Sequence, residues 1–166
     1  MKGDVGILGG YFDDNGVNMM HDEWTSLMSN TSKAIFDMVR NEAPNMYIDL
    51  HSCGSGPVLL PARYTPFSVK QRLERFKSIL REQLLKQNYW IKNSNIVAIE
   101  GEEGKPIPAF NRTSMLYHTG ADLPFVFENP HGCIEYTPLS YEDILNIDHI
   151  LFETALDFIC GRIDGE

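Results

Sequence analysis

Two side chains suited to hydrolytic chemistry stand at the ends of apolar runs. Tyr47-Ile48-Asp49-Leu50 closes on His51, and Ser52-Cys53 then leads into a Gly54-Ser55-Gly56-Pro57 turn. Leu123-Pro124-Phe125-Val126-Phe127 closes on Glu128, and Asn129-Pro130-His131-Gly132 follows. A strand that ends this way delivers its last side chain to the carboxyl edge of a sheet, where open α/β sheets bind ligands. Histidine is the commonest metal ligand. A carboxylate closing an apolar run is partly desolvated, which suits it to general-base work. A zinc ion held by a histidine beside it would supply a water of pKa about 7. The pair would then form half of a metal-assisted hydrolysis site. The plainer alternative is a satisfied strand-end histidine and a solvated glutamate.

Cysteine suggests a different metal site. His51-Ser52-Cys53 and His131-Gly132-Cys133 share a His-x-Cys spacing, and both follow strand ends. Two histidines and two cysteines can close a tetrahedral structural zinc site, although such sites usually use wider C-x-x-C knuckles. Cys53 and Cys133 would pair as a disulfide if the protein were exported. The bland reading makes them small buried residues, with Cys160 in the core of the last helix.

The elements that must position these groups follow from periodicity. Residues 1–24 are rich in Gly, Asp and Asn and predict irregular structure. Ser29 is placed to cap a helix running to about Asn41, with Ala34, Ile35, Met38 and Val39 as its inner stripe. Ala43-Pro44-Asn45 stops it, because a residue before proline is pushed out of helical geometry. A strand over 46–51 follows, and Val58-Leu59-Leu60 continues the sheet after the turn. Ser68 with Gln71 forms a capping box for the next helix, whose buried face carries Val69, Leu73, Phe76, Leu80 and Leu84. Residues 89–91 and 96–99 are short strand candidates, and 100–113 is a charged loop. The run 123–128 is the second informative strand. Ser140 and Asp143 cap a long final helix with Ile144, Ile147, Leu151, Ala155 and Phe158 on its core stripe. This alternation predicts an α/β fold, a mixed sheet flanked by helices on both faces.

Composition narrows the function classes. The 166 residues suffice for one domain with a real core, and no linker or repeat divides them. A net charge of −9 argues against nucleic-acid binding, which needs a concentrated positive patch. The one basic cluster, Lys70 to Lys86, is interleaved with glutamates and suggests a single solvated helix face. No apolar run approaches a membrane span. Met1-Lys2-Gly3-Asp4 opens no apolar stretch of the signal-peptide kind, and three cysteines make no disulfide framework, so a reducing, cytoplasmic compartment is favoured.

The order of the motifs carries more than any one of them. Gly16-Val17-Asn18-Met19-Met20-His21-Asp22-Glu23-Trp24 precedes a helix, then comes Ile48-Asp49-Leu50-His51-Ser52, and much later Phe125-Val126-Phe127-Glu128. Over residues 11–160 this order resembles the C-terminal half of the zinc carboxypeptidase family of metallopeptidases. In that family an H-x-x-E motif supplies two zinc ligands, a strand-end His-Ser the third, and a glutamate ending Phe-x-Phe-Glu activates the zinc-bound water. The resemblance implies a zinc-dependent hydrolase of peptide or amide bonds, with His51 as the third metal ligand and Glu128 as catalytic base and later proton donor. It also implies that residues 1–166 form a single partial domain.

The departures are as specific. No H-x-x-E occurs in the sequence, and one histidine cannot hold catalytic zinc, which takes three protein ligands plus water. The resemblance therefore implies a site whose other ligands lie in a missing N-terminal half, Met1 being a truncation or fragment start, and a chain inactive alone. The family's Asn-Arg pair, which clamps a substrate carboxylate, corresponds here to Met20 and His21. An imidazole is a poorer carboxylate fork than a guanidinium, so an amidated, aminoacylated or cell-wall peptide becomes a plausible substrate. As a surface turn, His21-Asp22 would have no such role. Tyr117 is the nearest counterpart of the family's substrate-contacting tyrosine, and Arg112 is a candidate to orient a substrate carbonyl or carboxylate. Halving such a domain leaves an unpaired sheet edge, which predicts self-association or marginal stability. Two other classes stay open: a non-catalytic, vestigial binding module of the same fold, and the structural zinc module of His51, Cys53, His131 and Cys133.

Overall fold

The computed structural model describes residues 11–22, 26–53, 57–90, 110–130 and 139–163. In chain order the described elements are α1 (Asn30–Glu42), β1 (Tyr47–Cys53), β2 (Val58–Pro61), α2 (Phe67–Lys86), α3 (Arg112–Thr119), β3 (Pro124–Pro130) and α4 (Tyr141–Ile159). They form a mixed α/β arrangement around a three-stranded sheet of order β1-β3-β2, with β3 central. β1 runs parallel to β3, and β2 antiparallel.

β3 is central because almost all of it is apolar. Phe125, Val126 and Phe127 are buried, and only Glu128 in the strand is half-exposed. Its prolines sit at the first and last positions, where a missing N–H costs the ladder least. Alternation along the strands then divides the sheet. One face carries Ile48, Leu59, Phe125 and Phe127, and it packs with Leu73, Phe76, Leu80 and Leu84 of α2 and Ile147, Leu151 and Ala155 of α4. The Phe76 ring lies 5.3 Å from the rings of both Phe125 and Phe158. Burying one such phenylalanine contributes roughly 1.5–3 kcal/mol. On the other side Tyr47 packs with Phe36 and Val39 of α1 and Met115 and Leu116 of α3.

Caps fix the helix limits. The Ser29 hydroxyl accepts from the Ser32 N–H at 3.3 Å to open α1, and Ala43 closes it in the left-handed region at φ 43° before Pro44. Ser140 and Asp143 form the capping box of α4. Tyr89 donates to Asp143 at 2.9 Å, tying the end of α2 to the start of α4.

Several local expectations are corrected. α2 begins at Phe67 behind Pro66, whose carbonyl accepts from the Val69 and Lys70 N–H groups, and Ser68 caps nothing. The buried stripe of α1 is Ser32, Phe36 and Val39; Ala34 and Met38 face solvent. Lys70 and Lys77 are buried, so the basic cluster is not one solvated face. The reason is spacing: both fall three or four positions from Leu73, Leu80 or Leu84, on the core stripe. Cys160 is exposed at the end of α4. β1 runs through Ser52 and Cys53, and β3 through Asn129 and Pro130, so neither strand ends at the expected His51 or Glu128. Tyr89 and Trp90 are not in a strand, while residues 91 and 96–99 lie outside the described residues. No described helix is long and apolar enough to cross a membrane.

Candidate functional site

The parallel pairing of β1 and β3 sets His51 directly opposite Glu128 and Asp49 opposite Val126. Paired residues share a face, so an imidazole and a carboxylate stand side by side two residues before the carboxyl ends of adjacent strands. Both therefore lie near the edge where the chain leaves the sheet. Glu128 is half-buried.

Asp49, two residues before His51, shares its face and is buried beneath it. Its Oδ2 lies 3.4 Å from His51 Nε2. Arg112 Nη2 donates to both of its oxygens, at 2.7 and 2.9 Å. Burial alone would raise the Asp49 carboxyl above its usual range. The hydrogen bonds from His51 and Arg112, with the guanidinium charge, outweigh burial and hold it below the ordinary 3.8. Nearby, burial and the Asp49 charge push the Tyr47 phenol up, with Arg112 opposing.

Arg112 reaches Asp49 because the start of α3 is pinned. The Asn111 side chain accepts from the Ser114 N–H at 3.1 Å as the N-cap. The Ser114 hydroxyl donates to Asn111 and accepts from the Arg63 N–H at 2.8 Å. The Arg112 N–H donates to the Met20 carbonyl at 2.8 Å. Arg112 is thus the first residue of a helix, with a side chain only 12% exposed, rather than a solvated loop arginine.

The segment 11–22, expected to be irregular, closes the site from above. Phe12 and Asn18 form an antiparallel bridge around a turn with Gly16 at φ 78°. The Asp13 carboxylate accepts from the N–H groups of Asn15 and Val17, both at 2.9 Å. This fold-back sets Tyr11 over His51, its hydroxyl 3.4 Å from Nδ1 and the two rings 5.4 Å apart. Asp22 is buried and accepts from the N–H groups of Met28 and Ser29, anchoring the segment to α1.

Between these parts lies a cleft of about 560 Å³, lined by Tyr11, Met20, Asp49, Leu50, His51, Ser52 and Arg112. His51 and Arg112, predicted separately, meet there through Asp49. His21 is exposed, next to Met20 in the chain, and its N–H donates to the Asn18 carbonyl. Tyr117 lies on α3 against His118, 5.1 Å between rings, and is not part of the cleft wall. His131 and Cys133 lie outside the described residues, as does the side chain of Cys53. Among the described residues no three His, Cys, Asp or Glu side chains are placed to hold one metal ion.

Two contributors escaped the sequence reading. Asp49 carried a usable signal, a charge inside an apolar run at i−2 from His51. Tyr11 carried none, because only the turn at Gly16 brings it back over the strand. The chain matches no protein-family model, no curated protein and no solved structure.

Proposed function

We propose that this chain supplies the third zinc ligand and the catalytic base of a carboxypeptidase-like hydrolytic site acting on a peptide or amide bond. The observation that carries the reading is the register of β1 on β3, with His51 beside Glu128 two residues short of both strand ends. This register, beyond sequence order, supports the reading, although Glu128 is not among the residues lining the cleft at His51.

The histidine fits the role on its own geometry. Nε2 faces the Asp49 carboxylate, and Nδ1 faces the cleft beside Tyr11. Zinc-bound histidines characteristically turn their second nitrogen to such a carboxylate. The rest of the ligand set is not among the described residues, and a catalytic zinc takes three protein ligands. On this reading the other two come from outside the described residues, and zinc would make its bound water acidic enough to ionise near neutral pH. Glu128 would hold the proton removed from that water. His21, exposed beside the cleft, would help read the substrate. Arg112 would do so only with the part of its guanidinium that Asp49 does not occupy.

A non-catalytic module of the same fold is the second reading. One observation favours it: both ring nitrogens of His51 already have protein neighbours, Tyr11 and Asp49. Cobalt(II) loading followed by visible and near-ultraviolet spectroscopy separates the possibilities. The hydrolytic reading expects a weak site of nitrogen and oxygen donors that disappears in His51→Ala. Thiolate charge-transfer bands lost on replacing Cys53 or Cys133 would instead establish the structural zinc module. No cobalt binding at His51 would leave the non-catalytic module.

A further inference from the structure

We propose that Arg112 is a positioning residue acting through Asp49 on His51: it fixes the imidazole as the Nε2–H tautomer, with the Nδ1 lone pair turned into the cleft. The proposal concerns the same imidazole as the hydrolytic reading but does not depend on it, because it needs neither metal nor substrate.

A guanidinium has only donors, and here one nitrogen spans both Asp49 oxygens at 2.7 and 2.9 Å. A carboxylate held this way stays an acceptor. His51 Nε2 faces that acceptor at 3.4 Å, so the proton belongs on Nε2. Nδ1 is then bare, and the Tyr11 hydroxyl, 3.4 Å away, is placed to donate to it. One chain of polar contacts thus runs from Tyr11 through His51 and Asp49 to Arg112, with every proton direction decided at the arginine end.

The guanidinium also fixes the carboxylate in space. Both oxygens are engaged at once, so Asp49 cannot rotate about its terminal bond without losing a charge-assisted contact. Arg112 in turn is immobilised by the Asn111 cap and by its own N–H to Met20. Remove this guanidinium nitrogen, and Asp49 can turn away from Nε2. The ring then samples both tautomers, and the Nδ1–H form points a proton into the cleft where a ligand would need a lone pair.

The test is a long-range proton–nitrogen correlation spectrum of the whole chain with nitrogen-15 histidine, recorded where His51 is neutral. The wild type should show the Nε2–H signature at His51. Arg112→Ala should shift both ring nitrogens towards a tautomer average. Asp49→Asn, whose amide can donate to Nε2, should move the ring towards Nδ1–H. Tyr11→Phe should leave the tautomer as it is. Should Arg112→Ala fail to fold, Arg112→Lys carries the test, because it keeps the charge but, on a shorter side chain with a differently placed donor, should give the same shift in smaller degree. An Nδ1–H ring in the wild type overturns the proposal. So does a His51 signature that responds to Asp49→Asn but is unchanged in whichever of the two arginine variants folds.

Discussion

Arg112 and Asp49, 63 residues apart in the chain, form a buried ion pair in which Nη2 lies 2.7 Å from one carboxylate oxygen and 2.9 Å from the other. The pair joins the first turn of α3 to the middle of β1 directly beneath His51. Its two side chains are 12% and 7% exposed. Removing one member of such a pair strands the other charge away from water. Arg112→Ala should therefore cost about 2–4 kcal/mol, towards the lower end of buried pairs because neither side chain is fully enclosed. Urea unfolding of the single and double variants checks this. In the cycle, Asp49→Asn combined with Arg112→Ala should cost less than the two single losses added together.

The same pair sets a pH dependence. The Asp49 carboxyl is held below its ordinary 3.8 in the folded chain. A group whose folded pKa is depressed stabilises the fold above its unfolded value and loses that contribution as pH falls through its folded value. Wild-type stability should accordingly drop below about pH 4. The wild-type advantage over Asp49→Asn should be present at neutral pH and shrink across that acid window. Parallel stability curves for the two proteins over the window would contradict the assignment.

Much of this frame was legible in the sequence. His51 and Glu128 announce themselves because each ends an apolar run, although β1 and β3 each continue two residues further. The caps Ser29 and Ser140 and the Leu73–Leu84 stripe are local too, with partners within four residues. What stayed hidden depends on contacts distant in sequence. Nothing near Arg112 says that its partner is Asp49, and nothing near Tyr11 says that it lies over His51. Lys70 and Lys77 misled because their charge outweighs their position when only one helix is in view. Ser68 and Gln71 match a capping box, but the chain enters the helix two residues earlier, with Pro66 at the N-cap.

The His51–Glu128 register depends on the packing of β3. Phe127 is fully buried between β1 and β2, one residue before Glu128. Phe127→Ala should cost about 3–5 kcal/mol. Glu128→Gln, on a half-buried side chain, should cost far less. Thermal and urea unfolding of both variants tests this separation of scaffold from site.

β1 pairs on one side with β3, and among the described residues no strand pairs with its other side. Leu50 on this strand is 48% exposed. An apolar edge of this kind favours association. The chain should therefore show concentration-dependent self-association by light scattering, reduced in Leu50→Lys. A strictly monomeric wild type at high concentration would contradict this expectation.

Zinc titration against a chromophoric chelator, in the wild type and in His51→Ala, tests whether His51 is a zinc ligand. With only His51 of the ligand set placed, the wild-type chain should bind zinc weakly, far below the affinity of a three- or four-ligand site, and lose that binding in His51→Ala. Its affinity should fall roughly 10–100-fold in Asp49→Asn, as for other carboxylates behind a metal-bound histidine. Zinc bound equally by the wild type and His51→Ala would contradict this, and so would binding as tight as a complete structural site.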